Sequence, residues 1–436
     1  MRVHTIGGYK KVGKNMTAVE INNQIIVFDM GADIERIVEH EENIEEMKTV
    51  EAIESKIVPN DSKLKNEMRD KVKAIVIGHG HQDHTRGIPK LAGAYDCPII
   101  TTPYTANIIE RFIENDNENV TNDIIRMNPG ESIRVSRDID LEFINITHSI
   151  PHSVLSVLKT PEGNLVYSLD FKLDDNPTMN DPINYDKIRK IGEQGVKTYI
   201  ADCTRADQPG RAKTENETRM ELKRIMTENC DRREGMIITT FSSHIARLNN
   251  IIDANNGRRK IAMLGRSLKE YTKDAEKLGL IDLSNIEIAS WREEVEDLLI
   301  EASKNKSDYL IVSTGNQGEP NAMLSRISNG DYPYTVEDGD LVIFSSVTIP
   351  TDINELNREY LKRNLRRRGA DLELDVHSHG HAMGEDHRDM LRMLDPETVI
   401  PAHGGGEKLG ALAKLAREEG IEKVKLSSNG GAVTID

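Results

Sequence analysis

The chain has 436 residues, 37% of them hydrophobic, enough to bury one large core or two domains. Its formal charge of −16 excludes a protein that coats nucleic acid through its whole surface. Three cysteines (Cys97, Cys203, Cys230) without a CxxC pair exclude a disulfide framework and a cysteine-built zinc site, so histidine and carboxylate must supply any metal ligands.

No apolar run approaches the roughly 18–20 residues that span a bilayer, and the start MRVHTIGGYKKVG lacks the apolar region of a secretory signal. A cytoplasmic protein without a membrane partner is expected. In chain order, short β-rich runs ending at polar or glycine-containing turns predict buried strands: QIIVFDMG (24–31), VKAIVIGHG (72–80), LEFINITHS (141–149), NLVYSLDF (164–171) and KTYIADCT (197–204). MIITTF (236–241), KIAMLG (260–265), YLIVSTG (309–315), LVIFSS (341–346) and TVIPAHG (398–404) follow. Helical patterns lie between the later ones, as in SHIARLNNIIDAN (243–255), SLKEYTKDAEKLG (267–279) and REEVEDLLIEASK (292–304). Alternation of this kind defines an α/β chain.

The early strands have few long helices between them, whereas 205–370 repeats strand and helix as a doubly wound parallel sheet does. Histidine-bearing loops return after 371. The expected division is a first domain over 1–204, an inserted domain over 205–370, and a return to the first over 371–436. The acidic segment 33–54 and the basic runs at 257–260 and 363–369 read as solvated helix faces, and the basic runs can still form a local rim on an acidic body.

The chemistry concentrates in GHGHQDHTRG (78–87). Side chains alternate along an extended segment, so His79 and His81 point to one side and can reach one ion. Asp83 and His84 fall where the loop turns into a helix and can swing toward a second ion, about 3.5–4 Å away in two-metal sites. Further ligand candidates stand at strand ends, which converge on one edge of a sheet: Asp29, His148, Asp170 and His403.

With these residues the sequence resembles the metallo-β-lactamase superfamily, whose central motif is HxHxDH. The resemblance implies an αββα sandwich. It also implies one metal on His79, His81 and His148, a second on Asp83, His84 and His403, Asp170 bridging them, and Asp29 orienting the ligand loop by hydrogen bonding. The insertion before His403 resembles the nucleic-acid-processing β-CASP branch, with Asp202 and His381 as its marker acid and histidine and His403 as its last. HSIPHS, LDFKLD, GRS (265–267), TGNQGEPNAMLSRI (314–327), FSSVTIP (344–350) and IPAHGG are similar to signatures of the ribonuclease J family and cover the chain nearly end to end.

That resemblance implies a two-metal ribonuclease acting 5′→3′ on single-stranded RNA with a 5′-monophosphate, in RNA maturation and decay, with an endonucleolytic mode left open. Asp83 or Asp170 would orient the attacking water, and His381, held by Asp202, would be the general acid. Donors for the terminal phosphate would come from Arg266, Ser345, Ser346, His377, Ser378, His379 and the loop Gly315 to Gly318 with Gln317. Histidine-rich ligation favours two Zn²⁺ per chain, and a mixed nitrogen and oxygen site also accepts Mn²⁺.

The sequence departs from the family in three places. It lacks the extra C-terminal domain of bacterial members, which leaves a homodimer open and resembles the archaeal form. His152 stands where aspartate is common, and His379 where serine often helps bind phosphate. The rival readings are a β-CASP DNA nuclease, whose relatives commonly lack the histidine at 403, a small-molecule metallohydrolase, and a non-catalytic RNA-binding subunit.

Overall fold

The structure is a computed structural model that describes residues 1–39, 43–349 and 351–436. Positions 40–42 of the acidic segment and position 350 of FSSVTIP lie outside the described residues. The chain forms two compact units. The first comprises 1–175, 180–212 and 379–436, and the second 176–179 and 213–378. Both main seams fall eight residues beyond the 204/205 and 370/371 boundaries expected from pattern. Residues 205–212 stay with the first unit because the Gln208 and Gly210 carbonyls accept from the Gly384 and Glu385 amides at 2.8 and 3.0 Å, and 371–378 stay with the second because Asp371–Glu373 pairs with Leu341–Phe344, contacts that no periodicity reports.

In the first unit two seven-stranded sheets face each other. One runs in the order Gly431–Thr434, Arg2–Gly7, Met16–Ile21, Gln24–Phe28, Val72–Ile77, Ile99–Thr101, Ile124–Arg126. The other runs Lys423–Val424, Thr398–Ala402, Val196–Asp202, Asn164–Ser168, Val154–Lys159, Ile139–Asn145, Ser132–Ser136.

The strand period of two assigns each residue to a layer. Ile26, Phe28, Ala74 and Val76 point inward and pack with Leu141, Phe143, Leu165 and Ile200 of the second sheet. Their alternates Ile25, Val27, Ile75 and Ile77 point outward, onto a core shared with Ile88, Leu91 and Ile109 of helices. The second sheet does the same with Tyr199 and Ala201, which meet Ile188, Met390 and Leu412 from its own helices. Helices, sheet, sheet and helices therefore make four layers, the αββα arrangement.

The second unit is built on six parallel strands in the order Ile286–Ala289, Lys260–Leu264, Tyr309–Ser313, Met236–Thr239, Leu341–Phe344, Asp371–Glu373. Helices such as Ile245–Asn255, Arg266–Glu276 and Arg292–Lys304 connect them. All ten strand runs read from the sequence are strands. The pattern passes over short or edge strands such as Ile124–Arg126 and Lys423–Val424, and also over the six-residue interior strands Arg2–Gly7, Met16–Ile21 and Val154–Lys159.

Candidate metal centre

Strand direction explains where the site forms. Gln24–Phe28 runs parallel to Val72–Ile77, and Asn164–Ser168 parallel to Val196–Asp202 and Thr398–Ala402. Asp29, His79, Asp170 and His403 each follow the C-terminal end of one of these strands, and Asp202 closes another. Both sheets thus deliver side chains to one edge. Asp29, Asp170 and His403 also turn into the left-handed region, with φ of 60°, 55° and 59°. For residues other than glycine that conformation is costly and tends to persist at functional sites.

The Asp170 carboxylate divides the centre. Its Oδ2 lies 3.4 Å from His79 Nε2, 4.0 Å from His81 Nδ1 and 3.6 Å from His148 Nε2. Its Oδ1 lies 3.1 Å from His403 Nε2 and 3.3 Å from His84 Nε2. Asp83 Oδ2 completes this second set, 3.5 Å from His84 Nε2 and 3.6 Å from His403 Nε2. In each set the donor atoms lie within 4.8 Å of one another.

The surroundings fix which nitrogen faces inward. His84 Nδ1 donates to Asp29 Oδ2 at 2.8 Å, His148 Nδ1 to the Gly380 carbonyl at 2.6 Å, and His403 Nδ1 to Asn15 Oδ1 at 2.9 Å. Each bond leaves the Nε2 lone pair turned toward Asp170, the arrangement that ligating histidines require. Tyr167 OH donates to the same Asp29 oxygen at 2.8 Å, so Asp29 holds the loop from outside the cluster.

These residues fit a pair of divalent cations. His79 Nε2 and Asp170 Oδ1 are buried without any hydrogen-bond partner, and His148 Nε2 stands 3.0 Å from His81 Nδ1. Buried polar atoms left unpaired cost about 1–3 kcal/mol each, and a cation shared between the lone pairs removes that cost.

Beside the clusters His381 Nδ1 donates to Asp202 Oδ2 at 2.9 Å. Burial works against a charged His381, but Asp202 and Asp170 outweigh it and raise its pKa to about 9. Thr204 fixes the other Asp202 oxygen through its amide at 2.7 Å and its hydroxyl at 2.6 Å.

The expected phosphate donors are placed unevenly. His379 belongs to the first unit, and the others to the second. There Arg247, fully buried, donates two bonds to Glu215 at 2.7 and 2.8 Å. It also reaches Ser345 Oγ at 2.9 Å, His377 Nδ1 at 3.2 Å and Ser378 Oγ at 3.3 Å.

The Ser378 hydroxyl donates to Glu215 at 2.6 Å, and that of Ser345 to the Val376 carbonyl at 2.9 Å, so both protons are engaged within the protein. Buried Arg358 binds the Asn316 carbonyl and Ser346 Oγ, at 2.7 and 3.1 Å. Ser346 Oγ thus accepts from Arg358. Gln317 ties Val347 and Ile349 to its loop, at 2.9 and 2.8 Å. A Cβ on Gly318 would come within 2.4 Å of the Asn357 carbonyl oxygen, and Gly315 adopts φ of 93°. Arg266 stands on the surface, paired with Glu270 at 2.7 Å.

Sequence reading passed over Asn15, Tyr167, Thr204, Glu215, Arg247 and Arg358, which act through other residues. It also passed over Asn316, whose buried Nδ2 has no partner. Asn316 alone carried a signal, by lying inside TGNQGEP.

Four layers, an inserted parallel sheet and two histidine sets sharing one aspartate define a metallo-hydrolase of the β-lactamase superfamily. Comparison with known proteins narrows this. Residues 54–179 match the family described as the beta-lactamase superfamily domain, 233–360 that described as "Ribonuclease J, beta-CASP domain", and 374–426 the "Zn-dependent metallo-hydrolase RNA specificity domain".

The chain is 41% identical to a ribonuclease J of Methanocaldococcus jannaschii, over 100% of this chain and 99% of that protein. It is 39% identical to one of Pyrococcus abyssi, over 100% and 97%. A crystal structure of a protein of unknown function from Enterococcus faecalis V583 shares the fold with a TM-score of 0.69 at 19% identity, covering 99% of each chain. The chain belongs to the ribonuclease J family, and with it to the metal-dependent ribonucleases.

Proposed function

We propose that the chain is a two-metal 5′→3′ exoribonuclease that prefers single-stranded RNA with a 5′-monophosphate and acts in RNA maturation and decay, with endonucleolytic cleavage as a second mode. The observation that carries the reading is the Asp170 carboxylate, whose two oxygens each face a separate histidine set. When bound, two Zn²⁺, or Mn²⁺ in their place, supply Lewis acidity to the phosphoryl oxygens and make water more acidic.

The chain's own residues do the rest. His79, His81 and His148 hold one cation; Asp83, His84 and His403 hold the other. Asp83 orients the attacking water and accepts its proton. Asp202 takes the Nδ1 proton of His381 as a hydrogen bond, which leaves Nε2 as the atom that protonates the departing 3′ oxygen. In the second unit the terminal phosphate is read by Ser346, His377, Arg266 and the loop Gly315 to Gly318, joined by Asn316 Nδ2. Apart from Arg266 these donors are hydroxyls, imidazoles and amides, which cradle phosphate without a large positive charge and suit an acidic chain. Ser345 and Ser378 serve as struts under that surface.

The three cysteines are unpaired thiols, which fits the reducing cytoplasm. Among the described residues no helix is long and apolar enough to cross a membrane. A homodimer remains compatible with the reading.

The test compares RNA carrying a 5′-monophosphate, a 5′-triphosphate or a 5′-hydroxyl. Mononucleotides released from the 5′ end, fastest from the monophosphate, are expected. Internal products indifferent to the 5′ group would overturn the exonuclease assignment.

A further inference from the structure

Away from the metal centre, the helix Asp352–Arg367 of the second unit presents an unusual outer face. It buries Arg358, Leu361 and Leu365. On the opposite side Ile353, Leu356 and Tyr360 are 43%, 72% and 59% exposed. Spacings of three and four put these in one stripe, which Arg363 and Arg367 continue. Single exposed apolar residues are ordinary, whereas a row of them marks a surface meant to be covered.

Of the arginines here, Arg363 and Arg366 act on Glu359 only at longer range. Among the described residues Arg363, Arg366 and Arg367 form no ion pair, whereas Lys362 is tied to Glu359 at 2.6 Å. The helix dipole accounts for arginines in a last turn. It does not account for a tyrosine and a leucine in line with them.

We propose that this face is a landing surface for single-stranded RNA: Tyr360 stacks on a base, Leu356 borders it, and Arg363 and Arg367 take neighbouring phosphates. An exposed aromatic beside unpaired arginines is the combination with which proteins hold single strands without reading sequence. A second copy of the chain is the less suitable occupant, since each copy carries a net charge of −16 and the arginines complement phosphate. In an acidic protein with only 4% aromatic residues, such a stripe supplies grip that the metal centre does not. The inference rests on RNA being the substrate, not on the direction of digestion.

The test is binding of a long, unstructured 5′-hydroxyl RNA to the full chain in chelator, followed by anisotropy across a salt series. Tyr360→Ala is expected to weaken binding about tenfold, and Tyr360→Phe to restore it. Arg363→Gln and Arg367→Gln should each flatten the slope of log affinity against log salt by about 0.7. With metal present, KM for long RNA should rise while kcat on a short oligonucleotide stays unchanged.

Unchanged affinity and salt slope in all the variants would overturn the proposal. So would a wild type that sediments as a dimer and falls to a monomer on Tyr360→Ala with RNA affinity intact, since the stripe would then be a subunit contact. A wild type that binds RNA through the stripe yet does not cleave it would sink the functional reading and leave this one standing.

Discussion

Asp170 carries more of the account than any other side chain, and its backbone shows the cost. It sits in the left-handed region at a strand end, buried, with one oxygen toward each histidine set. His81→Ala removes a single neutral ligand from the outer part of one set. Its RNA turnover is expected to fall below detection with an unchanged circular dichroism spectrum, and full activity would refute the assignment. His381→Ala should lower kcat by about 10²–10⁴, the range for loss of a positioned general acid, without changing bound metal. Loss of the metal as well would make His381 part of the metal site.

The histidines and aspartates that gather at the centre were legible because most are uncommon residue types at or just past the end of an apolar run. Asn15, Tyr167 and Thr204 were not: each is a common polar residue whose meaning comes only from the distant partner it meets, as when Asn15 meets His403 across 388 positions.

Elements explain how the loops are held. Gly380 lets the SHGH loop pass against His148, where an added Cβ would come within 2.5 Å of His148 Cε1. Gly380→Ala should therefore weaken metal binding by about 10–100-fold, the usual effect of disturbing a ligand's support, as read by chelator competition.

In the second unit Arg247 and Glu215 join Ser345, just past the strand Leu341–Phe344, to the His377 and Ser378 loop. Burial opposes ionisation of Glu215, but Arg247 and His244 outweigh it and hold the carboxyl well below its ordinary range. A depressed carboxyl stabilises the fold above its unfolded pKa, and that contribution is lost as pH falls from about 4.3 toward the folded value. Glu215→Gln should thus be clearly less stable than wild type at neutral pH, with the gap in Tm narrowing below pH about 4. Arg247→Met leaves the carboxylate buried alone and should cost about 3–5 kcal/mol in denaturant unfolding.

Many buried strands and several helices were readable from their periods, but interior strands such as Met16–Ile21 and Val154–Lys159 and helices such as Glu215–Glu228 escaped. Edge strands such as Ile124–Arg126 escaped too, because half-exposed residues blur the alternation. Pairing across the two sheets is a long-range matter that local pattern does not encode.

At the scale of the whole molecule, each unit has its own core, and the proposed metal ligands all belong to the first. Binding to the folded state alone stabilises it by mass action, about 4 kcal/mol at a thousandfold excess over Kd. Calorimetry with and without chelator should accordingly shift the transition of the first unit and leave that of the second in place. The sequence showed that an insertion was present because histidine motifs resume after it. It could not place the seams, which depend on long-range contacts such as Gln208 with Gly384 and Asp371–Glu373 with Leu341–Phe344.

The central claim is a pair of cations joined by one carboxylate, and the most direct test is elemental analysis of the purified chain and of Asp170→Ala, alongside turnover of 5′-monophosphate RNA. Two divalent ions per wild-type chain are expected, with loss of metal and of turnover in the variant, and arrest of the wild type by chelator with recovery on adding metal back. Turnover that persists in metal-free protein would contradict it.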